Sequence, residues 1–249
     1  MKKLEPYERI LLPYDASTLS DADVRRMTLL GDRMYVGGIK VGLESQTAET
    51  DNTLPTIACR LLPLIHGARL KSMWDGKFND IPNTVGNAFR NIASKGVWGM
   101  TVMASAGPDA LKAAVANRGN ALIIGVTVLT SLSEQQCKDI YRRSARSQVL
   151  YFANMLVECG AQAIVCSPLE LEAVRNAIGY KLICITPGIR GKDAKPDDQN
   201  RTMTAGDAIR AGADYLVIGR PIMQATYPEV AARCIGDEIL IAEANLLMI

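Results

Sequence analysis

Three residues stand at the spacing D-x-K-x-x-D: Asp75, Lys77 and Asp80, with Lys40 on an earlier apolar run. Asp75 and Lys77 are two apart in a strand-like segment, so both side chains point to one face and Gly76 to the other. Isolated charges on a core-facing strand would be costly to bury, so these must pair. Lys40, at the end of the neighbouring strand, is the third member of such a set and Asp80 the fourth. Alternating Lys-Asp-Lys-Asp supplies every charge with opposite neighbours, and each neighbour keeps the lysines protonated at neutral pH. The alternative for the same triplet is a solvated surface ladder.

A second group of residues suits an anion. Gly219-Arg220-Pro221 follows an apolar run and offers close backbone approach, a guanidinium and a helix starter. Arg190 closes the run Thr186-Pro187-Gly188-Ile189-Arg190, and the polar stretch 191–199 is long enough to fold over a ligand. With an arginine on either side, that stretch reads as a phosphate-gripping lid; a plain surface connection is the competing reading.

The elements that must position these groups follow from periodicity. Short apolar or β-branched runs recur at 10–12, 38–41, 70–74, 100–104, 122–129, 163–166, 182–185 and 215–218. Between them lie segments of helical period, among them 82–94, 108–117 and 145–159. Eight strands alternating with helices in 249 residues predict a (β/α)8 TIM barrel, an α/β fold, as one domain over 1–249. In that fold chemistry sits where strands end, and Asp15, Lys40, Asp75, Lys77, Arg190 and Arg220 all fall at such ends.

Composition excludes other classes. With 28 Lys plus Arg against 26 Asp plus Glu, the net charge of +2 gives no field for nucleic acid or an anionic membrane. No apolar run approaches the ~18 residues of a membrane span, and the opening MKKLEPYER has no apolar core of a secretory signal. A cytoplasmic location is expected. The single histidine, His66, cannot build a multi-histidine metal site and is expected at the surface end of an apolar helix. The six cysteines form no C-x-x-C pair, and Cys166 and Cys184 read as buried thiols. Chemistry is left to carboxylates, lysines, arginines and hydroxyls.

Six motifs, in order and at matching spacing, resemble the orotidine 5′-phosphate decarboxylases, chiefly the bacterial branch. They are Lys40-Val41-Gly42, the stretch from Asp75 to Thr84 (D-x-K-x-x-D-I-P-N-T), and Val126 to Ser131 (V-T-V-L-T-S). Thr186 to Arg190 (T-P-G-I-R), Asp198 to Arg201 (D-Q-x-R) and Val217 to Ile222 (V-I-G-R-P-I) complete them. The resemblance implies decarboxylation of orotidine 5′-monophosphate to UMP without metal or cofactor. It implies that Lys77 donates the proton, that Asp75 lies beside the departing carboxylate, and that Lys40 and Asp80 complete the network. It further implies a homodimer in which Asp80, Ile81 and Thr84 reach the partner's site. Asp15 would hold a ribose hydroxyl and Thr130 the pyrimidine edge, while Gln199, Gly219 and Arg220 hold the phosphate with Arg190 at the base of the lid.

Some positions depart from the family pattern. Pro13 precedes Asp15 and is expected to distort the end of the first strand. Gly76 replaces a large apolar residue, which should loosen packing by about 1–3 kcal/mol unless a neighbour fills the space. Asn79 and Met103 stand where histidines are common. Two other readings compete: the magnesium-dependent hexulose phosphate synthases and ketogulonate phosphate decarboxylases, which share D-x-K-x-x-D, and a silent binder of phosphoribosyl ligands. Ile81-Pro82-Asn83-Thr84 argues against the former, and the complete charged set against the latter.

Overall fold

The computed structural model describes residues 4–48, 56–191 and 202–246. Eight parallel strands close into a barrel in sequence order: β1 (Ile10–Tyr14), β2 (Gly38–Val41), β3 (Lys71–Phe78), β4 (Gly99–Met103), β5 (Leu122–Val126), β6 (Ala163–Val165), β7 (Ile183–Thr186) and β8 (Tyr215–Val217). The (β/α)8 expectation is met. The three helices read from periodicity are present as Pro82–Ala93, Pro108–Ala116 and Ala145–Glu158. Proline opens the first two, where its missing N–H costs nothing. The Ser144 side chain accepts from the Ser147 N–H to cap the third.

Strand parity divides the core. Outward residues such as Ile39, Val41, Met100, Val102, Ile123 and Ile164 pack against the helices. Leu11, Met73, Ile124, Ala163, Ile185, Tyr215 and Val217 fill the barrel's interior, with Trp98 set edge-on to Tyr215 at 5.1 Å. The lower interior is therefore apolar and packed, and the charged residues occupy the layer above it, at the C-terminal mouth.

Strand ends shift from the sequence reading at every strand but β2, most at β1, β3 (which runs on to Phe78) and β5. β1 runs through Pro13 to Tyr14, with Pro13 in register with Lys40. The Ile218 N–H reaches the Leu11 carbonyl, so the odd positions of β1 face β8. That ladder ends at Leu11 and Val217, and Pro13 lies beyond it, where no donor is required. The expected distortion is absent. β5 stops at Val126 rather than continuing to 129: the Thr127 hydroxyl and N–H both turn to the Val165 carbonyl, and the chain leaves over the rim.

His66 lies exposed in the last turn of helix Ile57–Gly67, its ring 3.1 Å from the Ser72 hydroxyl. Cys166 and Cys184 are buried as expected. Hydrogen bonding with Cys184, together with burial, pushes the Cys166 thiol well up and keeps it neutral.

Candidate active site

A cavity of about 760 Å³ opens at the mouth of the barrel. Its floor is Met73, Val126, Val165 and Val217, the upper ends of the interior rows; its charged wall is Lys40, Asp75 and Lys77. Asp15, Thr130, Arg190, Gly219 and Arg220 line it as well.

Asp75 is the centre of the wall. Lys40 Nζ and Lys77 Nζ each stand 2.8 Å from the same oxygen, Oδ2. The other oxygen, Oδ1, accepts from the Thr101 hydroxyl at 3.1 Å. Burial alone would push this carboxyl up. The two ammonium groups and their hydrogen bonds outweigh it and hold the carboxyl below the ordinary carboxylate range.

Asp75 and Lys77 meet as expected, but not by simple alternation. The β3–β4 register shifts between Trp74 and Phe78, and Lys77 takes a left-handed φ of 46°. Its N–H donates to the Thr101 hydroxyl at 2.8 Å. A non-glycine residue in this region carries strain that surrounding contacts must hold, and such residues cluster at functional sites. Gly76 is not loosely packed: a Cβ there would lie 2.6 Å from Phe78 Cε2, and that ring, set edge-on to Phe89 at 5.4 Å, takes the missing side chain's place.

Asp80 does not join this wall within the chain, so a place in the charge alternation would have to be taken at a partner's site. It follows the strand on an exposed turn, with Oδ1 accepting from the Ile81 N–H at 2.7 Å. Asp80, Ile81 and Thr84 are exposed and lie off the cavity, and Ile81 keeps 66% of its surface open. Helix Pro82–Ala93 begins two residues after Asp80.

The Asp15 carboxylate accepts from the Glu44 N–H at 2.8 Å, over a Gly42 whose Cβ would overlap it. Its loop is pinned from both sides. The buried Ser45 hydroxyl accepts from the Ala16 N–H at 3.0 Å and donates to the Ala16 carbonyl at 2.9 Å. Tyr14 donates to the Thr18 carbonyl at 2.7 Å, and burial, with the Asp23 carboxylate beside it, pushes that phenol up to about 12. On the opposite side Gly219 sits against Pro13, where a Cβ would come within 2.8 Å of the ring, and Arg220 begins helix Arg220–Met223. Arg190 is fixed through its main chain, which donates to the Met203 carbonyl at 2.9 Å. Gln199 and most of the lid segment 191–199 lie outside the described residues.

Sequence reading does not reach Thr101, Tyr14 or Asp23. Thr101 carried a parity signal, since it follows Gly99 by two on β4 and so faces inward like Asp75. Tyr14 and Asp23 are joined only by the fold.

The closed barrel and its charged mouth, beside the β7 and β8 loops where such barrels meet phosphate, define a (β/α)8-barrel enzyme of phosphorylated small molecules. The sequence model of the orotidine 5′-phosphate decarboxylase / HUMPS family matches residues 15–235. An orotidine 5′-phosphate decarboxylase of Moorella thermoacetica is 37% identical over 252 residues, spanning 96% of this chain and 95% of the relative. One of Nitrosospira multiformis is 40% identical over 204 residues, 81% of this chain and 82% of the relative. The crystal structure of orotidine 5′-phosphate decarboxylase from Lactobacillus acidophilus superposes with a TM-score of 0.76 at 27% identity, covering 92% of this chain and 98% of the other. The chain belongs to the orotidine 5′-phosphate decarboxylase / HUMPS family.

Proposed function

We propose that this chain decarboxylates orotidine 5′-monophosphate to UMP and carbon dioxide, the last step of de novo pyrimidine nucleotide synthesis. The observation that carries the reading is a single buried carboxylate oxygen, Asp75 Oδ2, held by two ammonium groups at 2.8 Å each in a chain of this family. The relatives' names favour this branch over the magnesium-dependent sisters that the shared family model also spans.

The chemistry suits fixed charge. Heterolysis of the bond between C6 and the carboxylate releases carbon dioxide and leaves the electron pair on C6. Lys77 then passes an ammonium proton to that carbon. Asp75, itself pinned by Lys40, aims the Lys77 ammonium before substrate arrives, so the developing negative charge meets a preorganised cation. Asp75 beside the substrate carboxylate is unfavourable in the ground state, and carbon dioxide loss relieves it. Binding of the remote phosphate by Arg220, Gly219, Gln199 and Arg190 supplies the energy that holds substrate there. Asp15 takes a ribose hydroxyl and Thr130 the pyrimidine edge. This reading calls for no metal or cofactor, no nucleic acid or membrane partner, a single barrel domain over 1–249 and a cytoplasmic location. Among the described residues no helix is long and apolar enough to cross a membrane.

A homodimer with shared sites completes the reading. Its support is that Asp80, Ile81 and Thr84 project outward, away from their own cavity, while Lys77 keeps 39% of its side-chain surface open beside Asp75. Co-expressing Lys77→Ala and Asp80→Asn chains should restore part of the turnover that each lacks alone; no restoration would refute shared sites.

Loss of orotidine monophosphate absorbance, followed with and without a chelator, tests the reaction. Chelator-insensitive loss is expected. Chelator-sensitive turnover of a different sugar phosphate would favour the sister enzymes, and tight UMP binding without turnover a silent binder. Lys77→Ala should lose nearly all turnover, and near-normal turnover would sink its role as proton donor.

A further inference from the structure

We propose that Thr101 is a positioning residue of this site: its hydroxyl clamps the Lys77 main chain to the Asp75 carboxylate and thereby sets the aim of the Lys77 ammonium. The inference rests on the decarboxylase reading above. Thr101 is fully buried on β4 and is not among the residues that line the cavity, so it acts through its neighbours.

The direction of its hydrogen bonds is determined. A hydroxyl carries one proton. Thr101 Oγ1 accepts from the Lys77 N–H at 2.8 Å, so its own proton goes to Asp75 Oδ1, 3.1 Å away. Both Asp75 oxygens are then committed, Oδ2 to the two lysines and Oδ1 to Thr101. The carboxylate cannot rotate without giving up partners on β2, β3 and β4 together. Lys77 needs the same contact for a second reason. Its left-handed backbone lies within the register shift of β3, which takes its N–H off the strand ladder and onto Thr101. Without that acceptor the main chain at Lys77 has a part-buried donor to satisfy and a strained φ to relieve, and a shift of either carries the ammonium with it. A β-branched side chain suits the task, because its χ1 is stiff.

Thr101→Val keeps the shape and removes the hydroxyl; Thr101→Ser keeps the hydroxyl and removes a methyl. Steady-state decarboxylation and UMP titration of both, beside the wild type, separate the possibilities. The expected result for Thr101→Val is kcat lower by about 10- to 100-fold, with KM and UMP affinity within about threefold of wild type. Thr101→Ser should stay within about threefold in kcat. Wild-type kcat in Thr101→Val overturns the clamp. So does an equal loss in Thr101→Ser, which would mark packing, or a defect confined to KM, which would mark substrate binding. If melting curves show Thr101→Val unfolded, Thr101→Ala against Thr101→Ser carries the same comparison. An inactive wild type would instead sink the decarboxylase reading, and the clamp's role with it.

Discussion

Replacing Asp75 by asparagine removes one charge and leaves two ammonium groups facing a neutral amide at the base of the cavity. The Asp75 side chain is 7% exposed, Lys40 14% and Lys77 39%. Breaking a buried ion pair by removing one partner costs about 3–5 kcal/mol, because the remaining charge stays desolvated. Lys40 bears most of that cost. Lys77, more than a third exposed, can turn to water, and its share is discounted accordingly. The expected loss is therefore at the lower end, about 3 kcal/mol, or about 6–12 °C in Tm for a domain of this size. Arg210→Ala, which breaks an exposed pair with Asp207 whose side chains are 44% and 48% open, should cost less than about 1 kcal/mol. Urea unfolding at fixed protein concentration reads both. The pH dependence has a definite sign. Folding favours the ionised Asp75, whose carboxyl is held down in the native state, so its contribution is complete above the unfolded value of about 4. It is lost as pH falls through the depressed native value, so the gap between wild type and Asp75→Asn must narrow on acidification. An Asp75→Asn protein within about 1 kcal/mol of wild type at neutral pH, or a gap that widens in acid, refutes the reasoning.

Arg220→Ala should raise KM far more than it lowers kcat, since it removes binding remote from the reacting carbon; steady-state kinetics that show the reverse would place Arg220 elsewhere. Gly76→Ala should cost about 1–3 kcal/mol in urea unfolding, because the added Cβ meets the Phe78 ring at 2.6 Å and that ring is already packed on Phe89. On the alkaline side, burial with the Asp214 and Glu8 charges pushes the Tyr215 phenol up to about 12, so folding favours its neutral form. That contribution is complete below the unfolded value of about 10 and fades as pH rises through the native one. The stability gap between wild type and Tyr215→Phe should therefore change across that window and stay flat between neutral pH and about 9.

Much of the barrel was legible in the chain because strands and helices write their periods locally. Eight apolar runs at barrel spacing became eight strands, and Asp75 and Lys77, two apart, still met on one face. What could not be read is what depends on neighbours brought in by closure. Pro13 looked disruptive because a proline inside a sheet loses a ladder bond, yet the ladder on its donor side has already ended. Gly76 looked like a void, and the ring of Phe78, two residues on, fills it. Asp80 reads as a fourth member of the array, but within its own chain it lies exposed and off the cavity.

By itself, the sequence determined which residues carry charge, which face of their strands Lys40 and Asp75 occupy, and which family motifs they spell. These are properties of residue type and of a two-residue period. Only the tertiary structure decided that β4 presents Thr101 to both Asp75 and Lys77. It alone set Lys77 in a left-handed turn and brought Lys40 and Lys77 onto one oxygen. Those contacts join strands whose relative register is set by barrel closure, and a register is a relation between distant segments that no local pattern encodes.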